Sequence, residues 1–214
     1  MSGINVWSNV AVAVQTVLGT AKVITAISKT NPAEVTSATH GFTAGQFLLL
    51  TVQGMRQLNL RVVKVAPTPG TDDFELVGID STLFADFVSG TAQLITFGAE
   101  AATFQDVNAS GGIAADIPVG TIHDDEDRVI PGNKSAIKYE FGSLWNIGDA
   151  ALIELQKASD TKTTRAVRLT FATGDVVAFD CYPSAPLVPV GSSGAAVTTP
   201  VSFSLAGRLT TIVA

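Results

Sequence analysis

Residues 29–90 open with KTNPAEVTSATHGFTAGQFLLLTVQGMRQLN and close with FELVGIDSTLFADFVSG. They read as a compact β unit set inside another sequence, so residues 1–28 and 99–214 are expected to fold as a frame around an inserted domain spanning 29–98. Within the unit, Val35 and Thr36 lead into the turn Thr39-His40-Gly41 and residues 46–52 make an apolar run. Residues 60–65 and 74–77 supply further short strands between Gly, Pro and Asp punctuation. The pattern predicts a small barrel or meander.

The wording of the unit resembles the small β module that recurs in tailed-phage structural proteins and is related to a β domain of ubiquitin-activating enzymes. The matching positions are Asn31-Pro32, His40-Gly41, Gly54-Met55, Leu58-Asn59 and Phe74-Glu75-Leu76. The resemblance covers the second quarter of the chain and implies a phage virion rather than any particular activity.

With 46% hydrophobic and 15% charged residues, and a mean hydropathy of +0.36, the chain is apolar and charge-poor for a soluble monomer, where about a quarter charged is usual. Surface hidden by neighbouring subunits would explain this. The apolar residues come in short runs broken by glycine and proline, without the roughly 20 continuous apolar residues of a membrane helix. No membrane insertion is expected, and no secretory signal, because no Lys or Arg precedes the first apolar run. One cysteine, Cys181, leaves neither an intrachain disulfide framework nor a thiolate cluster for zinc. A net charge of −6 argues against wrapping duplex DNA, which needs a dense Lys and Arg footprint.

In the frame, Val10, Val12 and Val14 alternate with Ala11, Ala13 and Gln15, predicting a strand, and residues 22–27 predict a second. Residues 99–136 are weakly patterned and read as a long loop, broken by Ser110-Gly111-Gly112, Pro118-Val119-Gly120 and Pro131-Gly132. A loop of that length is uncommon in a compact domain unless it has a job. Residues 137–141 predict a strand, and 146–159 a single helix with Asn146 as cap, Asp149 answering it, and Ile147, Ala151, Leu155 and Ala158 on one stripe beside Leu152. Residues 165–171 and 176–182 predict a hairpin about Thr173-Gly174-Asp175. Residues 197–209 predict the last strand, with Val201, Phe203, Leu205 and Leu209 on one face.

The strand pair, the single helix, the hairpin and the closing TTPVSFSLAGRLTTI resemble the tail tube (major tail) protein of phages with long non-contractile tails. The resemblance implies a mainly β fold, a β-sandwich or barrel with one flanking helix plus the inserted small β domain. It also implies homo-hexameric rings stacked into a tube through which DNA is ejected, with no cofactor, metal or catalytic residue. Tape measure and terminator proteins would be tail partners, and duplex DNA would pass without being gripped. The protein would belong to the virion and be synthesised in the bacterial host cytoplasm. In such rings the sheets join edge to edge, so strand edges that endanger a monomer become the assembly device. Obligate interfaces of this kind commonly bury more than roughly 2,000 Å².

Rings must also stack, and the expected inter-ring or inter-subunit anchors are Trp7, Phe104, Ile113, Ile117, Ile122 and the acidic run Asp124, Asp125, Glu126, Asp127. A negative lumen would repel phosphates, with the repulsion confined to about 8 Å from the wall by screening. Glu140, Asp175 and Asp180 are its candidate linings, and an insertion as large as 29–98 is expected to face outwards.

Other chemistries have weaker signals. His40 reads as a turn residue bonded to local backbone. His123 and the adjacent acids lack the spacing and glycine of a calcium loop and read as a solvated acidic loop. No Gly-x-Ser-x-Gly elbow accompanies either histidine, and no Gly-Lys-Ser or Gly-Lys-Thr follows a glycine loop. Cys181, without a flanking cation, reads as a small buried hydrophobe. The competing function class is a virion decoration or tail-tip protein whose 29–98 module binds a host receptor. Its aromatics, Phe42, Phe47, Phe74, Phe84 and Phe87, are at spacings typical of a core rather than of a glycan platform.

Overall fold

A computed structural model describes residues 4–214 as mainly β, with one α-helix. The first stretch holds β1 (Ala11–Leu18), β2 (Lys22–Ile24), β3 (Ala26–Ile27), β4 (Glu34–Thr36), β5 (Phe47–Gln53), β6 (Arg61–Lys64), β7 (Asp73–Glu75) and β8 (Ser89–Ala101). There follow β9 (Phe104–Ser110), β10 (Ala114–Pro118), β11 (Val129–Lys134), β12 (Lys138–Leu144) and the helix α1 (Ala150–Thr161). The chain closes with β13 (Arg165–Thr170), β14 (Val176–Ser184), β15 (Thr198–Leu205) and β16 (Thr210–Ile212).

The main sheet runs β6-β5-β8-β1-β13-β14-β15-β12-β9 and curls into a half-barrel, with β2 also on β8 and β16 also on β14. Three apolar clusters organise it. One face of the sheet holds Val12, Val14, Phe141, Val167, Phe179 and Phe203, closed by Leu152 and Leu155 of α1. The small β unit has its own core of Val35, Leu48, Leu50, Leu58, Val63 and Phe74. A third cluster lies between them, joining Phe47, Leu49 and Val62 to Ala166, Ala178 and Ile212. The run FLLL in β5 has no polar alternation because both its faces are buried, Leu48 and Leu50 in one core, Phe47 and Leu49 in the other. β1 is likewise covered on both faces, so Ala13 and Gln15, expected opposite the valines, are as buried as they are, and Gln15 Oε1 accepts the Ala166 N–H at 3.0 Å.

The boundary expected at Gly98 falls inside β8. This 13-residue strand pairs with β5 and β2 near its start and with β1 near its end. Ile24 and Ile27, read from sequence as frame, pack in the core of the small unit. The unit also meets the end of the chain. Thr210 Oγ1 donates to the Val62 carbonyl at 2.5 Å and accepts from Arg61 Nε at 2.9 Å, so side chains bridge β6 to β16 where no backbone ladder does. β8, β1, β13, β14, β16, β6 and β5 thereby enclose the third cluster.

Three other expectations are corrected. The helix begins at Ala150 rather than near 146, because Asp149 is its cap, accepting from the N–H groups of Ala151 and Leu152 at 2.9 and 3.1 Å. Asn146 instead accepts from the Gly148 N–H, and Ile147 stays exposed. The last strand breaks at Ala206-Gly207, where a Cβ on Gly207 would run into the Leu60 carbonyl, and β16 resumes beyond the turn. Residues 99–136 are not one long loop: they hold the end of β8, then β9, β10 and β11, with a connecting tip at 119–128. Exposure on both faces of β10 and β11 removes the apolar alternation that marks a strand in sequence.

Candidate assembly surfaces

β9 pairs with β12 on one side, and among the described residues nothing pairs with its other side. Its register carries a bulge. Asp106 opposes Gly142 and Phe104 opposes Ser143, so Gln105 is the extra residue. The bulge puts Phe104 and Val107, three apart, on the same core-facing side, where the Phe104 ring lies tilted against Phe141 at 4.9 Å. The unpaired edge opens onto a cleft of ≈ 630 Å³ lined by Trp7, Val10, Val12, Ala101, Phe104 and Phe141. Phe104 is therefore part of the core beside the edge rather than a free anchor. Trp7, 58% exposed, leans on Phe171 at 5.3 Å on the rim. The N-terminal stretch that carries Trp7 is described from residue 4 onwards; residues 1–3 lie outside the described residues.

The β9–β12 hairpin continues past the sheet as β10 and β11. Gly112 N–H donates to the Ser135 carbonyl and Ser135 N–H to that of Ile113, stitching the two sections into one ribbon. Gly111 and Gly112 both have φ near +80° at this junction, and a side chain on Gly111 would strike the Ala136 carbonyl, so the bend requires glycine. From Ser110 to Pro118 the ribbon reaches about 26 Å at ~3.3 Å per residue. Ile117 faces Ile130 across it, and Ile113 and Ile122 are 78% and 96% exposed. At the tip, Asp124 is committed internally: its carboxylate accepts the Thr121 N–H at 2.8 Å and lies 3.7 Å from Arg128. Asp125, Glu126 and Asp127 are exposed and make no ion pair among the described residues.

The three expected lumen acids fall in three different environments. Glu140 is exposed but holds Lys138 at 3.0 Å. Asp175 is half-buried in the β13–β14 turn and ties residue 5 to the C-terminal residue, accepting from Asn5 Nδ2 at 2.7 Å and Ala214 N–H at 3.1 Å, with the Thr173 hydroxyl at 2.9 Å. These hydrogen bonds, Asn5 foremost, hold its carboxyl below the usual range. Asp180 is fully buried, and burial pushes its pKa up to about 6 against weaker opposition from Thr164, the Cys181 amide and Arg165. It presents no surface charge in this fold, because β14 turns that face into the third apolar cluster.

Sequence reasoning missed Asp106. Register places it with Asn108, Glu140, Ser202 and Ser204 on one polar face of β9, β12 and β15. The three-residue spacing of Phe104 and Val107 is the available signal, and it becomes legible only once the bulge is known.

The rival sites resolve as structural features. His40 is buried, its Nδ1 accepts the Phe42 N–H at 2.9 Å, and its ring sits 5.0 Å from that of Phe74. Cys181 is buried with its thiol 3.2 Å from the Arg165 carbonyl, and burial followed by the Asp180 charge pushes its pKa well up. Phe42, Phe47 and Phe74 are buried, with Phe84 and Phe87 packed against the core of the small unit. Among the described residues, no three His, Cys, Asp or Glu side chains cluster as a metal set, and no helix is long and apolar enough to cross a membrane.

No curated protein matches the chain. The family model described as phage tail tube protein, TTP, matches residues 53–214, from the last residue of β5 through β16, so that β1 to β4 lie outside the matched range.

Proposed function

The chain belongs to the phage tail tube protein family, a structural component of the phage tail, and from that premise we propose that its copies join edge to edge into hexameric rings that stack as the tail tube. The observation that supports this is the unpaired edge of β9, exposed beside a cleft at the seam of the half-barrel. Left alone, such an edge invites indiscriminate pairing; a ring that closes removes it. The projecting β10–β11 ribbon then serves contacts between copies, with Ile113, Ile117, Ile122 and the tip acids as its contact groups.

The polar face carrying Asp106 and Glu140 lines the bore in this reading. Asp106, which makes no ion pair among the described residues, repels phosphate near the wall while Glu140 holds Lys138 away from it, and duplex DNA passes during ejection without salt-sensitive attachment. Asp175 serves at a chain-end clasp rather than on that face. The small β unit packs against β13 and β14 across the third cluster and faces outwards from the tube in this reading, and tape measure and terminator proteins meet the ends of the tube.

Purified chain is expected to form hollow tubes of uniform diameter, visible by negative-stain microscopy. Replacing Asp106 with proline, which breaks the edge, should leave a folded species that sediments as a monomer. A wild-type chain that stays monomeric at every concentration, with or without other tail proteins, would overturn the proposal. Glu140→Lys together with Asp106→Lys should still give tubes, but tubes that bind duplex DNA in a filter assay.

A further inference from the structure

The surfaces that assemble must be complementary as well as exposed, and charge distinguishes them. The tip of the β10–β11 ribbon offers one apolar side chain, Ile122, beside Asp125, Glu126 and Asp127, which have no ion-pair partner among the described residues. Three clefts elsewhere on the molecule can be compared as receptors. The cleft beside β9 contains Asp106 and no cation, and the one beside β12 contains Lys138 already paired with Glu140. The third, of ≈ 510 Å³, lies where β1 ends, where the chain leaves α1, and beside the outer half of β14. It is lined by Leu18, Lys162, Thr164, Arg165 and Tyr182 with no carboxylate among its lining residues.

Lys162 is exposed, held in a left-handed conformation as the residue that closes α1, and makes no ion pair among the described residues. Arg165 is braced by the Thr164 carbonyl and Thr163 hydroxyl at 2.9 and 3.2 Å. Leu18 and Tyr182 are exposed and supply apolar walls.

We infer that this cleft is the receptor for the ribbon tip of a second copy of the chain, with Ile122 seated between Leu18 and Tyr182 and the free acids facing Lys162 and Arg165. The inference rests on the tube reading and specifies which surfaces meet in it. An acidic tip is repelled by the cleft beside β9 and finds only a neutralised lysine beside β12, whereas here both signs and both apolar surfaces match.

Tubes assembled from mixed isotopically light and heavy chains, treated with a zero-length carbodiimide, should yield a light–heavy isopeptide between Lys162 and one of Asp125, Glu126 or Asp127. Lys162→Glu should raise the critical concentration for assembly at least tenfold, as should Asp125→Lys with Glu126→Lys. Combining the two sets should restore most of the loss. Tubes that form without the cross-link, and with Lys162→Glu assembling like wild type, would overturn the docking site while leaving the tube reading intact. Failure of the wild-type chain to form tubes at all would overturn both.

Discussion

Asp180 is the residue whose environment departs furthest from its chemistry. A carboxyl with a pKa of about 6 in the folded chain and an ordinary value near 3.8 when unfolded favours the neutral form in the fold. It therefore destabilises progressively as pH rises from about 4 to 6 and by a constant amount above that. Stability measured by urea denaturation should fall across that window, by an amount up to about 3 kcal/mol at ~1.4 kcal/mol per pKa unit. Asp180→Asn should flatten the profile, matching wild type near pH 4 and exceeding it at pH 7. An unchanged slope between pH 4 and 6 in the variant would show that another group titrates there. Sequence placed Asp180 in a strand correctly but not on the buried side, because the face that β14 covers is decided by β5 and β6, more than a hundred residues earlier.

At the scale of elements, α1 and the β9–β12 ribbon show opposite degrees of legibility. The helix was readable because Ala151, Leu152, Leu155 and Ala158 bury one stripe, and only its start was misplaced, since Asn146 and Asp149 are both good caps and tertiary contact chose between them. Asp149 also accepts from the Ala102 N–H and the Thr103 hydroxyl, both at 3.2 Å, which ties the cap to the β8–β9 link. Asp149→Ala should cost about 1–2 kcal/mol, read as a lower denaturation midpoint with the same slope. The ribbon was unreadable as strand: β10 and β11 bury almost nothing, and the bulge at Gln105 disguises β9. At its bend, Gly111→Val should disorder residues 111–135, seen as lost hydrogen-exchange protection there, while the protection of β13 and β14 persists.

For the whole molecule, the small β unit and the frame share β8 and enclose a common apolar cluster, so they should unfold together. A single calorimetric transition is expected, and Gly207→Ala, which forces the β15–β16 turn off Leu60, should lower its midpoint without splitting it. Two resolved transitions would show that the unit folds on its own. The mainly β class, the lone helix, the hairpin about Gly174 and the core role of the phenylalanines were determined by sequence alone, because each is a local periodicity or a turn with its own chemistry. The curl of the sheet, the closure of β6 onto β16, the burial of Asp180 and the open edge of β9 were decided only by tertiary structure. They depend on which strands become neighbours across long separations, and a strand's own residues carry no record of which edge will be left without a partner.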